Sequence, residues 1–166
     1  MNETKQQHNE PEEVGLYGKI LHRTEELLDS GRKSLDDALK KAAEELTAAG
    51  QFTREQTERT MNYVRRDLQH TSDHLKTART SLKDAVAPQR VAAGAQSLFA
   101  KILSSAADQL SEWAEKAEHL IEFRTGEITS PGTLTCRNCG EELHMKRTAK
   151  IPPCPKCHQT LFRKSY

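Results

Sequence analysis

The sequence predicts a mainly α chain, a long antiparallel helical bundle or coiled coil, that ends in a small β module. Three features carry this. Charged residues make up 30% of the 166 positions and aromatics only 5%, too little apolar bulk for one large core but enough for narrow helical seams. Apolar residues recur seven apart through much of the chain, the spacing of helices that each bury one stripe. All four cysteines stand near the C-terminus, in a segment whose apolar residues alternate as they do in strands.

Residues 1–11 are polar, lack apolar spacing and end at Pro11, which predicts a disordered lead. Residues 12–125 then read as the helical region. Its first stretch repeats Val14, Leu21, Leu28, Leu35, Ala42 and Ala49, with Tyr17, Leu39 and Leu46 on neighbouring rows, and stops at Gly50 in a capping position. Ser30-Gly31 interrupts this seam and Ser34 followed by Asp37 offers a new start, so one bent helix and two shorter ones both fit. Thr53 followed by Gln56 has the form of a capping box. The second stretch begins there, with Met61, Leu68, Leu75 and Leu82 on one row and Val64, Thr71, Ala78 and Ala85 on the next. Pro88 makes a corner, and a third face runs through Phe99, Leu103, Ala106, Leu110, Trp113, Ala117, Leu120 and Ile121. Stretches of roughly 34 to 38 residues span about 50 to 57 Å. Such matched lengths favour antiparallel neighbours, with dimerisation as another way to cover the seams. Residues 126–132 read as a linker and 133–166 as the β module, with strands over Thr133 to Cys136, Glu142 to Arg147 and Thr160 to Arg163.

The cysteines stand as Cys136-x2-Cys139, fourteen residues, then Cys154-x2-Cys157. A tight turn inside each pair aims two thiolates at one ion about 2.3 Å away, and two pairs complete a tetrahedron, the arrangement of a structural Zn²⁺ in a zinc ribbon. Iron has the same four-thiolate option, and disulfides or a redox pair are the remaining readings. The chain opens on polar, acidic residues with no apolar export signal, which favours a reducing, cytoplasmic setting and a metal over disulfides. One closed site presents no water for chemistry, so the ion is expected to hold structure. About 35 residues cannot sustain a core unaided, so metal binding is expected to fold this module while the helices fold on their own. Gly140 follows the first pair where a positive φ is wanted, and His158 takes the equivalent place after the second.

From Glu127 to Gly140, then Ile151 to Cys157 and the closing Leu161-Phe162-Arg163, the chain resembles a bacterial zinc-ribbon-containing family of uncharacterised proteins. The resemblance implies a charged helical region followed by a zinc ribbon, a bacterial cytoplasmic setting, and Cys136, Cys139, Cys154 and Cys157 as ligands. It brings no activity with it.

Charge is uneven. The last 35 residues carry seven basic side chains against Glu141 and Glu142, while the rest of the chain carries 18 basic and 22 acidic ones. An anionic partner would meet Lys146, Arg147 and Lys150, which carry no opposing acid, on the excursion between the two cysteine pairs. His144, Phe162 and Tyr166 could stack on bases, although packing of Phe162 under the zinc turns, with the other two simply exposed, is the preferred account. Four thiolates on Zn²⁺ leave a charge of minus two, however, which nearby cations offset. No catalytic constellation emerges. His70 and His74 share a helix face but lack the glutamate of a zinc-protease motif and read as solvated side chains, and Glu25, Glu26, Asp36 and Asp37 read as helix-surface charges. Phe99 and Trp113 read as bundle core. No run is apolar enough to span a membrane. The sequence thus predicts a non-enzymatic adaptor that docks a protein partner, with a nucleic-acid-associated ribbon on a helical oligomerisation stalk as the alternative.

Overall fold

A computed structural model describes residues 10–31, 34–81, 101–103, 106 and 121–165. The first helical stretch is two helices, α1 (Glu10–Asp29) and α2 (Leu35–Ala48), and α3 spans Arg54–Ser81. Local chemistry sets the break. Gly31 takes a φ of 100° after α1, and the Ser34 hydroxyl caps α2 by accepting from the Asp37 amide at 3.3 Å. At the start of α3 the capping box is complete: Thr53 Oγ1 accepts from the Gln56 amide at 3.2 Å, and Gln56 Oε1 accepts from the Thr53 amide at 2.9 Å.

The three helices pack against one another. Tyr17, Leu21, Leu35, Leu39, Val64 and Leu68 are buried as their spacing predicts. Leu16 and Ile20, off the expected rows, are fully buried too, because α1 meets both α2 and α3 and needs a wider stripe. Ala49, on the expected seam, is exposed at the end of α2. Ile102 and Ala106 join this core. Phe99, Leu110, Trp113, Ala117 and Leu120 lie outside the described residues, as do most of the lead, Leu82, Ala85, Pro88 and Tyr166.

The C-terminal module comprises β1 (Phe123–Arg124), β2 (Ile128–Thr129), β3 (Gly132–Cys136), β4 (Glu142–Met145), β5 (Ala149–Lys150) and β6 (Leu161–Ser165). One antiparallel sheet has the order β1-β6-β3-β4, and β2 pairs with β5. Its core is Phe123, Leu134, Cys136, Ile151, Cys154 and Phe162. The expected strands appear as β3, β4 and β6 with ends shifted by a residue or two. Two segments differ from the sequence reading. Phe123 and Arg124, placed at the end of the third helical stretch, form a strand on β6. Residues 126–132, read as a linker, hold β2 and the first residue of β3, and Ile128 is buried in the helical core. Reciprocal backbone bonds fix the segment, from the Gly126 amide to Ile151 and from the Ile151 amide to Glu127, each 2.8 Å.

The sheet is thereby seated on α1 and α3. Asp67, fully buried on α3, is the centre of the junction. Its Oδ2 accepts from Tyr17 Oη at 2.8 Å, Thr129 Oγ1 at 3.1 Å and the Ser130 amide at 2.6 Å. Lys164 Nζ lies 4.0 Å from that oxygen and donates to Thr129 Oγ1, Ser130 O and Ser130 Oγ at 2.7 to 2.9 Å. Those three acceptors match the three protons of an ammonium. Arg66 bonds Glu127 and the Ile128 carbonyl and lies 4.2 Å over the Phe123 ring. Lys150 pairs with Glu13 at 2.8 Å, which ties β5 to α1.

Candidate metal centre

The four cysteines sit on two turns built alike. In the first, the Cys136 amide donates to the Glu141 carbonyl at 2.8 Å and the Gly140 amide to the Cys136 carbonyl at 3.0 Å. In the second, the Cys154 amide donates to Gln159 at 3.0 Å and the His158 amide to Cys154 at 2.9 Å. Gly140 and His158 occupy equivalent places with φ of 74° and 58°, so both turns need a left-handed residue and only one has glycine. Cys136 and Cys154 are buried, while Cys139 and Cys157 are partly exposed.

All four Sγ atoms lie within 4.8 Å of one another, with Cys136 to Cys157 and Cys139 to Cys154 each at 3.5 Å. No disulfide joins them. A tetrahedral ion with bonds of about 2.3 Å needs sulfurs about 3.8 Å apart, so the cluster fits such an ion with little adjustment. Its electrostatics point the same way. The Gln159 backbone amide holds the Cys157 thiol down at about 6. The Glu141 amide pulls Cys139 in that direction too, but burial and the other three sulfurs prevail and push it up to about 12. The Cys157 thiolate therefore forms readily, while Cys139 resists losing its proton beside the other sulfurs. A cation bound between them removes the repulsion.

The sheet supports the cluster from behind. Phe162, opposite Cys136 in the β3–β6 register, and Phe123 on the neighbouring strand are fully buried against the cysteines. Phe162 is therefore unavailable for stacking on bases. His144 is exposed.

The three candidate nucleic-acid contacts part company. Lys146 and Arg147 are exposed and, among the described residues, form no ion pair, whereas Lys150 is half-buried on Glu13. The sequence reading placed no acid opposite Lys150, because the pairing spans the length of the chain. Of the other four basic residues of the tail, Lys164 is buried, Arg137 pairs with Glu122 at 2.8 Å, Lys156 lies 3.8 Å from Glu141, and Arg163 is exposed. His70 is no solvated side chain: its ring packs edge-on against Phe123 with centroids 5.4 Å apart. Glu25 is also largely buried and pairs with Lys101 at 2.7 Å. Asp67 and Lys164 escaped the sequence reading, although each falls on the buried row of its own element. Asp67 is three residues from Val64 and four from Thr71, and Lys164 alternates with Phe162.

No helix among the described residues is long and apolar enough to cross a membrane. No solved structure matches the chain. Proteins from Escherichia coli strains K12, O6:H1 and O157:H7, each carrying the name "Uncharacterized protein YbeL", are 23% identical to it over 151 residues, covering 89% of this chain and 92% of theirs. The model of a family described as a zinc-ribbon containing domain matches residues 22–165, across both the helices and the four-cysteine sheet, and the chain belongs to that family.

Proposed function

We propose that the chain is a non-enzymatic, zinc-binding adaptor of the cytoplasm, in which one Zn²⁺ on Cys136, Cys139, Cys154 and Cys157 keeps the ribbon folded and the helices dock a protein partner. The observation that carries the metal is the gathering of four sulfurs within 4.8 Å on two matching turns. Four thiolates close a tetrahedron and leave no position for water, which favours a structural ion over a catalytic one. Unbridged thiols suit a reducing compartment. The helices would belong to a long antiparallel bundle, and a second copy of the chain is another way to cover its seams. Metal analysis of the purified chain should give one zinc, and a Cys154→Ser variant should lose it. Undiminished zinc in that variant would refute the ligand set.

A nucleic-acid role is the second reading, favoured by the exposed pair Lys146 and Arg147. With Lys150 on Glu13 and Lys164 buried, the charge left for phosphates rests on Lys146, Arg147 and Arg163, fewer cations than the seven counted in the sequence. A pull-down from native cells with and without nuclease separates the two. The adaptor expects a protein partner that survives nuclease. Retention on RNA that falls steeply with salt, and disappears when Lys146, Arg147 and Lys150 are all changed to glutamate, would favour the alternative.

A further inference from the structure

Given the metal proposed for the four cysteines, we infer that the Asp67 junction is a metal-responsive latch: occupancy of the cysteine site sets whether the ribbon stays docked on α1 and α3, and so whether that helical face is covered.

The connection runs along one strand pair. β6 faces β3 in a register that sets Phe162 opposite Cys136 and Lys164 opposite Leu134. Phe162 lies against the cysteines, and two residues on, pointing the same way, Lys164 enters the junction. Phe123 makes a second link. It is buried in the ribbon core with Cys136 and Cys154, yet its ring meets Arg66 and His70 of α3. Metal that fixes the two turns therefore also fixes the strands that present Lys164, Thr129, Ser130 and Phe123 to the helices.

Loss of the metal acts in the opposite sense. The ribbon's own core, a handful of apolar side chains, is too small to hold the sheet alone. Once the sheet loosens, Asp67 loses the Ser130 amide, the Thr129 hydroxyl and the neighbouring ammonium together. A carboxylate left buried with fewer partners is strongly unfavourable, so the packing of α1 on α3 around Tyr17 weakens as well. The alternative for Asp67 is to reach water, which uncovers the face. Coupling of this kind is reciprocal: weakening the junction must weaken metal binding.

The test uses the full chain, loaded with zinc or stripped by a chelator, and follows helical circular dichroism on heating beside metal content. A latch lowers the helical midpoint by about 10 °C or more on stripping. Tyr17→Phe, which removes one hydroxyl on α1 in the helical core and not in the ribbon core that holds the cysteines, should weaken zinc binding in chelator competition about fivefold or more, and Asp67→Asn should do so further. If zinc is bound and then removed while the helical midpoint stays within about 1 °C, the latch is wrong and the metal reading stands. If the purified chain takes up no zinc at all, the metal reading fails and the latch with it. An unchanged zinc affinity in a folded Tyr17→Phe variant also overturns the latch.

Discussion

At its metal end the ribbon is organised by residues close in sequence, two cysteine turns of the same design 18 positions apart; at its helix-facing end it is organised by residues far apart, Tyr17 reaching Asp67 across 50 positions and Asp67 reaching Ser130 across 63. The first end gathers negative charge and needs a cation from outside. The second already contains its cations, Lys164 and Arg66, and needs only the approach of two parts of the chain. A local motif can be specified by spacing, whereas a long-range polar junction is specified only by the fold that completes it. In this family member the two ends share β3 and β6, so a change at either should be felt at the other.

The sharpest way to break the comparison is at the metal end. Cys154→Ser removes a fully buried sulfur and should abolish metal binding at a cost of about 5 kcal/mol or more. Were the two ends independent, as the sequence reading expected of helices and ribbon, the helical signal would melt as in the parent chain. The structure predicts instead that it melts earlier, and a superimposable helical melt would show that the junction transmits nothing.

The next effect probes the junction through pH. Burial holds Lys164 down at about 8, against the pull of Asp67 and with the help of Arg66. In the unfolded chain the same amine keeps its proton to about 10.5. Between those values the unfolded state binds more protons, so stability rises with pH. Denaturant unfolding at pH 7.5 and 10, on the parent and on Lys164→Met, should show the parent gaining about 2 to 3 kcal/mol relative to the variant. Taking the difference cancels titrations common to both. A constant difference would mean that the ammonium is not desolvated in the folded chain.

How much of this was legible beforehand follows from the same contrast. Cysteine spacing located the cluster, and Thr53 with Gln56 and Ser34 with Asp37 located helix starts, because each signal lies within a few residues and its chemistry is local. The three two-residue strands β1, β2 and β5 carry no period long enough to read, which is why residues 126–132 looked like a linker. Asp67 drew no notice in the sequence, and Lys164 counted only among the seven basic residues of the tail. Periodicity did mark both, a charge on the buried row of α3 and a charge on the buried row of β6. A pair of opposite charges on two buried rows is a cue for a buried contact, and its use requires knowing that the two elements meet.

The smallest effect compares the two turns of the metal end itself. His158 sits at a φ of 58° where its counterpart Gly140 sits at 74°. A side chain in this region costs about 1 to 2 kcal/mol, since its Cβ crowds the following carbonyl, while glycine is free of that penalty. Nothing lies within 4 Å of where a Cβ on Gly140 would project, so Gly140→Ala carries the conformational cost without a clash. His158→Gly should therefore stabilise the metal-loaded chain by up to about 1 kcal/mol, part of the gain being returned as added freedom of the unfolded chain, and Gly140→Ala should destabilise it by a similar amount. Opposite shifts in chelator-resistant melting would confirm that the turns differ only in this strain. A loss of stability in His158→Gly would mean instead that the imidazole makes a contribution of its own to the second turn, and the likeness of the two turns would end at the backbone.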